Sequence, residues 1–252
     1  MDAPIVMHKY FAYNRSMEEI PKDVNIAAVA ELIGDPSRAA MLNALLDKRA
    51  LPAGELAACA GISPQTASTH LARLVKGGLL TLKPHGRHRY YTLASSDVAH
   101  ALEALALIAP PAPVRSLREA VIAERMREAR TCYDHLAGKL GVGLTEALER
   151  REILYLLEEE KRYQLTETGR EMLIQFGIDV ERLQRLRRAF ARPCLDWSER
   201  RYHLAGALGA ALMERLFHLR WIERLPGSRA LRVTEAGKQG LVQLLGEAPR
   251  IP

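Results

Sequence analysis

A segment that recurs at one fixed offset commits a chain to building the same unit twice. Residues 135–144 read HLAGKLGVGL and residues 203–212 read HLAGALGAAL, 68 positions on. At that offset YQLTETGREML (163–173) aligns with LRVTEAGKQGL (231–241) without a gap. His135/His203, Gly138/Gly206, Gly141/Gly209, Thr166/Thr234, Glu167/Glu235 and Gly169/Gly237 are identical pairs. Each copy reads as helix, strand, turn, strand, helix. In the second copy a helix over about 204–218 precedes the strands WIERL and ALRVT, which flank the turn PGSR, and Thr234 caps a closing helix. The first copy has EEEK as its turn, and Glu158, Glu159 and Glu160 would repel phosphate. The two repeats, about 135–175 and 203–245, are therefore expected to form a C-terminal module over 135–252 that senses a signal or joins subunits.

The first half carries a different signature. Residues 56–96 contain no Asp or Glu, in a chain whose charged fraction is 26% and whose net charge is +6. Arg73, Lys76, Lys83, Arg87 and Arg89 lie in this stretch, with His70, His85 and His88 among them. Charge of one sign makes a local positive field, and the natural target of such a field is a polyanion. The pattern inside the stretch says how it would dock. Ile26–Ile33 reads as a helix that Gly34 ends; Asp35 caps the next helix, with Pro36 in its first position. A short helix from Pro52 stops at Gly61. Ser63 and Pro64 then open a helix to about Lys76, which Gly77-Gly78 terminates. Ala67, Leu71 and Leu74 share its inward face, whereas Gln65, Ser68, Thr69 and Arg73 face outward. LLTLKP and RHRYYTL read as two strands joined at His85-Gly86. The predicted fold is mainly α with small β-wings: an N-terminal winged helix-turn-helix and a C-terminal pseudo-duplicated helix and hairpin module. The predicted DNA contacts are Gln65, Thr66, Ser68, Thr69, His70 and Arg73 on the reader helix and Lys83, Arg87, His88 and Arg89 on the wing.

Boundaries follow from composition. Residues 1–24 form an N-terminal arm whose Tyr10, Phe11 and Tyr13 either pack on a partner or hang loosely. The winged helix takes 25–109, and the Pro-rich IAPPAPVRS opens a linker and connecting helix over 110–134, with the helix at about Leu117 to Tyr133. Three cysteines are too few and too scattered for a disulfide framework, which favours a reducing interior. The absence of a signal-peptide core and of any run of about eighteen apolar residues predicts a cytoplasmic chain with no membrane partner.

The segments LIGDPSRAAMLNAL, ELAACAGISPQTASTHLARLVKGGLL and GRHRYYTL resemble the ArsR-type winged-helix repressors, named for arsenical resistance. The likeness covers about a third of the chain. It implies a transcription regulator that binds double-stranded operator DNA as a homodimer and loses affinity when an inducer binds. The family's metal sites do not carry over. Where some members have Cys-x-Cys before the reader helix, this chain has Ala57 and a lone Cys59, expected as a small core residue. Asp97 and His100 sit near the position of a second family site, but its remaining ligands are missing after Glu103. No metal is assigned there, and the sequence identifies no cofactor. A small-molecule inducer stays open as a partner.

One constellation in the C-terminal half could carry chemistry. Cys132 and His135 fall at i and i+3, on one face if helical. Cys194, Asp196 and Trp197 lie shortly before the second copy and His203 opens it, with the two cysteines at non-equivalent positions. If the copies pack about a pseudo-twofold axis, these groups converge. Two thiolates and two imidazoles would suit a zinc-like ion, and two thiols alone a redox switch. Alternatively, Trp197 and Tyr133 wall a pocket for an organic ligand, or the histidines only hydrogen-bond within a helix-packing motif that Gly138 and Gly206 let close. These readings stay open. The rival to a regulator is a small-molecule or metal-binding protein, or an enzyme, that uses Cys132/His135 and Cys194/His203. No Gly-rich phosphate loop, nucleophile elbow or zinc-protease motif supports catalysis, so no catalytic residue is predicted.

Overall fold

Helix-start signals decide the N-terminal half. In the computed structural model, which describes residues 24–85, 88–114 and 116–246, each cap expected from sequence is made. Helix α1 (Ile26–Ile33) starts at Asn25. For α2 (Pro36–Ala44), Asp35 Oδ1 accepts from the Arg38 amide at 2.9 Å. Strand β1 (Leu51–Pro52) and helix α3 (Ala53–Ala60) follow, and Gly61 closes α3 at a φ of +63°. Ser63 Oγ accepts from the Thr66 amide at 3.1 Å to open α4 (Pro64–Lys76). Strands β2 (Leu80–His85) and β3 (His88–Leu93) form the wing, antiparallel, with Lys83 opposite Tyr90. The short β1 adds to the outer side of β3. Helix α5 (Ser96–Ile108) completes the unit. Met41, Leu42, Leu45, Leu56, Leu71 and Leu74 are sealed in one core. Each contributes roughly 1.5–3 kcal/mol of transfer free energy.

After the linker the chain departs from the sequence expectation. Helix α6 (Leu117–Glu128) ends five residues before Tyr133, and a strand pair follows it: β4 (Arg130–Cys132) and β5 (His135–Ala137). A three-residue strand has too short a period to register as a pattern. Beyond its pairing with β5, β4 is held by a distant segment, since the Thr131 amide donates to Arg229 O (3.1 Å) and the Leu231 amide to Ala129 O (2.8 Å). Then come α7 (Gly138–Arg150), β6 (Leu154–Leu157), β7 (Arg162–Leu165), α8 (Glu167–Gln175) and the single-turn α9 (Val180–Gln184). The second series is β8 (Arg192–Leu195), β9 (Tyr202–Ala205), α10 (Gly206–His218), β10 (Ile222–Arg224), β11 (Leu231–Val233) and α11 (Glu235–Leu245).

Both series thus run hairpin, helix, hairpin, helix, and α10 begins and ends 68 residues after α7. His135 and His203 lie in strands ahead of these helices rather than inside a helix. Thr166 and Thr234 cap α8 and α11 alike, each accepting from the glycine amide three residues on. The series contact each other reciprocally. A Cβ built on Gly141 of α7 would lie 3.5 Å from the His203 Cβ, and one on Gly209 of α10 would lie 3.3 Å from the His135 Cβ. A second core, from Ala129 to Leu245, fills the space between them. No helix among the described residues is long and apolar enough to cross a membrane.

Candidate functional site

Two surfaces emerge, one outward and basic, one buried and rich in sulfur and nitrogen. Along α4 the residues Ala67, Leu71 and Leu74 are fully buried, which turns Gln65, Thr66, Ser68, Thr69 and Arg73 to solvent. Lys83 and Arg89 on the wing are exposed as well. Among the described residues no carboxylate pairs with Arg73, Lys83 or Arg89, so their charge is available to an external anion. Ser68 and Thr69 donate to the carbonyls of Pro64 and Gln65 one turn earlier, a bond either hydroxyl can exchange for another acceptor. His70 departs from the expectation. Its side chain is 17% exposed and its Nδ1 lies 3.4 Å from Arg38 Nη1 and 4.0 Å from Asp35 Oδ1, so it braces α4 against α2 instead of reaching outward. Arg87 and the side chain of His88 lie outside the described residues, as do Tyr10, Phe11 and Tyr13 of the arm.

Cys59, expected in the core, is exposed on α3, because Leu56 and Ala57 take that helix's inward positions. His100 sits 2.5 Å from Arg192 Nη2, and burial followed by that cation pushes its pKa down.

The second surface is the meeting point of hairpins β4–β5 and β8–β9. Cys132 pairs with His135 across the first hairpin, and Cys194 with His203 across the second. The helical i, i+3 geometry expected for Cys132 and His135 is therefore replaced by a cross-strand pair. The two cysteines are also equivalent in register, contrary to the sequence expectation. Two residues separate Cys132 from His135, and eight separate Cys194 from His203. That six-residue difference is residues 197–202 of the longer second hairpin, which hides the equivalence from a fixed-offset alignment. A ligand atom from each of the four residues lies within 4.8 Å of the others. Cys132, His135 and His203 are buried, and Cys194 is half-buried.

Two carboxylates orient the imidazoles. Asp134 Oδ1 lies 3.3 Å from His135 Nδ1 and is itself clamped by Arg188, whose Nη1 donates to Oδ2 at 2.6 Å. Asp196 Oδ2 lies 3.1 Å from His203 Nδ1, at an angle that misses a linear hydrogen bond. Asp196 also accepts from Arg130 Nη2 and from the Gly138 amide at the start of α7, both at 2.8 Å. Burial opposes ionisation of both carboxylates, but the imidazole and guanidinium donors outweigh it and hold both pKa values well below the usual range. A hydrogen bond from the Cys132 thiol draws the Cys194 pKa down against the effect of burial, with His135 and His203 adding to it. For His203, burial disfavours the charged form, yet Asp196 and Cys194 together raise its pKa.

Asp196 was singled out by sequence as a ligand candidate, but its oxygens are committed to Arg130, Gly138 and Ser198, so it is an orienting group. Trp197 stacks on the Arg130 guanidinium at 4.2 Å, so its ring is taken. Tyr133 does line a cleft, with Lys48, His100, Arg188 and Arg192. Asp134 carries no mark in the 68-residue alignment. The signal that finds it is a second repeat, A-R-x-C-x-D at 129–134 and 191–196, offset by 62.

Comparison with known proteins adds relatives. A family model described as a helix-turn-helix domain matches residues 33–83. YdfF of Bacillus subtilis (strain 168), described as an uncharacterized HTH-type transcriptional regulator, is 48% identical over 214 residues, 85% of this chain and 94% of that protein. A match of that length cannot be confined to the winged helix. The HTH-type transcriptional regulator CmtR of Mycobacterium tuberculosis (strain ATCC 25618 / H37Rv) is 39% identical over 77 residues, 31% of this chain and 64% of its own. Among solved structures, the homodimeric winged helix-turn-helix DNA-binding domain of a possible ArsR-family regulator from Mycobacterium bovis is 28% identical. That match covers 33% of this chain and 76% of the other, with a TM-score of 0.31.

Proposed function

The chain belongs to the HTH-type transcriptional regulators, and from that premise we propose that it is a cytoplasmic, homodimeric repressor of the ArsR type. It binds a specific double-stranded operator through α4 and the wing, and an inducer held by the C-terminal half releases it. The observation that carries this is the surface of α4. Gln65, Thr66, Ser68, Thr69 and Arg73 stand exposed together, beside Lys83 and Arg89, with no carboxylate among the described residues paired to the three cations. Short hydrogen-bonding side chains on a helix can read base edges in a major groove, while wing cations take phosphate. The N-terminal half continues to 25–109 in this reading, the connecting segment covers 110–134, and the module over 135–252 receives the signal.

Apolar exposure supports the dimer. Helix α1 buries none of its residues, and Ile26 is 73% exposed; at the end of α5, Ile108 is 81% exposed. A second copy covering α1 and α5 would remove this surface from water.

Footprinting on DNA flanking the chain's own gene, followed by gel-shift titration over a range of salt, tests the assignment. The parent should protect a discrete site. Arg73→Ala and Arg89→Ala should each weaken binding and lower the slope of log affinity against log salt by about one per lost phosphate contact. Binding with no preferred site, or affinity unchanged in both variants, would overturn it.

A further inference from the structure

We propose that Cys132, His135, Cys194 and His203 form a tetrahedral site for one divalent ion of the zinc class, buried where the two hairpins of the C-terminal half meet. The first observation is the pair of imidazoles. His135 Nε2 and His203 Nε2 face each other at 3.1 Å. Each ring has its Nδ1 beside a carboxylate anchored by an arginine, Asp134 with Arg188 and Asp196 with Arg130. A carboxylate beside Nδ1 orients the ring so that Nε2 is the nitrogen presented to a metal ion. The two Nε2 atoms face each other at hydrogen-bond distance in a buried space, and with each Nδ1 turned to a carboxylate they are the ring nitrogens that a shared cation would take.

Two sulfurs complete the donor set. Ligand atoms of all four residues lie within 4.8 Å of one another. Zinc bonds of about 2.0 Å to nitrogen and 2.3 Å to sulfur set edges of roughly 3.3 to 3.8 Å in a tetrahedron, so the widest pair need draw in by only about 1 Å. Two thiolates balance a dication, and the thiol protons leave to solvent as it binds. Soft sulfur and borderline imidazole disfavour magnesium or calcium, which take oxygen. The carboxylate–histidine pairs supply the outer shell that fixes ring orientation. The site is built from two hairpins, each giving one cysteine and one histidine. It also lies away from Cys59 on α3, the position at which the ArsR resemblance would have suggested thiolate ligands. Tyr133, next to Cys132, packs against the N-terminal core, so the ion fixes the hairpin that abuts the DNA-binding half.

Titrating the reduced, full-length chain with cobalt(II) tests the site, because tetrahedral cobalt absorbs strongly in the visible and its thiolate bonds absorb in the near ultraviolet. One cobalt per chain with both signatures, displaced by one zinc, is expected. Cys132→Ser and His203→Gln should weaken uptake by more than about 100-fold, Asp196→Asn by about 10- to 100-fold, and Cys59→Ser not at all. X-ray absorption at the zinc edge of the unaltered chain reads the ligands without any variant. Two sulfurs near 2.3 Å and two nitrogens near 2.0 Å support the proposal. A shell of oxygen and nitrogen alone, no stoichiometric uptake, uptake retained in Cys132→Ser, or a reduced chain that only re-forms a Cys132–Cys194 disulfide would overturn it. No DNA enters these measurements, so their failure leaves the regulator reading standing, and failure of the footprint leaves the metal site standing.

Discussion

Asp196 gathers donors from three elements. Arg130 of β4, the Gly138 amide of α7 and Ser198 of its own loop all converge on its carboxylate, and both it and Arg130 are fully buried. Removing one member of such a pair strands the other's charge in low dielectric, at about 3–5 kcal/mol. Asp196→Asn should therefore lower the urea midpoint by an amount corresponding to roughly 3 kcal/mol, while leaving the slope unchanged. A loss under about 1 kcal/mol would mean that Arg130 is held well enough by its other acceptors, Ser198 Oγ at 3.1 Å and Met126 O at 3.2 Å. This residue was visible in the sequence as an acidic group beside Cys194, but its partners were not. Asp134 was not visible as a functional residue at all, because it sits ahead of the aligned segment, and its equivalence to Asp196 shows only when the offset drops to 62.

At the scale of elements, the two central helices owe their close packing to glycine. A Cβ on Gly209 would come within 2.3 Å of Leu204 O and 3.3 Å of the His135 Cβ, and Gly141 is confined in the same way by Leu136 O and His203. Backbone cannot yield as a flexible side chain can, so Gly209→Ala should cost about 1–3 kcal/mol by thermal unfolding. Gly54→Ala on α3 is the contrast. Its Cβ would meet nothing within 4 Å, and the change should be neutral or stabilising by up to about 1 kcal/mol. Equal effects at the two positions would contradict the packing account. Helices α2 and α4 were legible from Asp35, Pro36, Ser63 and Pro64, because a cap is a contact within four residues. Hairpins β4–β5 and β8–β9 were not legible, since their strands are only three or four residues long and the segments that pack against them lie far along the chain.

At the scale of the molecule, the seam between the halves is polar. Arg229, almost fully buried, donates to Glu103 Oε1 (2.9 Å), Asn43 Oδ1 (2.8 Å) and Thr131 O (3.0 Å), and Arg224 lies 3.4 Å from the buried Asp47. Arg229→Ala would leave Glu103 without its counter-charge and should uncouple the halves. Both tryptophans, Trp197 and Trp221, lie in the C-terminal half, so tryptophan fluorescence follows that half while far-ultraviolet circular dichroism follows the whole. The two denaturation curves should coincide in the parent and separate in Arg229→Ala. Coincident curves in the variant would show that the apolar contact of Tyr133 with the N-terminal core couples the halves by itself.

Sequence alone determined the winged helix, its outward reader face and the recurrence of a unit 68 residues apart, because caps, helical period and charge purging act between near neighbours. Tertiary structure alone decided that His70 braces α2, that Cys59 faces solvent, and that Cys132 and Cys194 occupy the same register beside facing imidazoles. The physical reason is the six extra residues 197–202 of the second hairpin, which shift one cysteine along the chain while reciprocal packing of α7 and α10 against the opposite hairpins returns it to the same place in space.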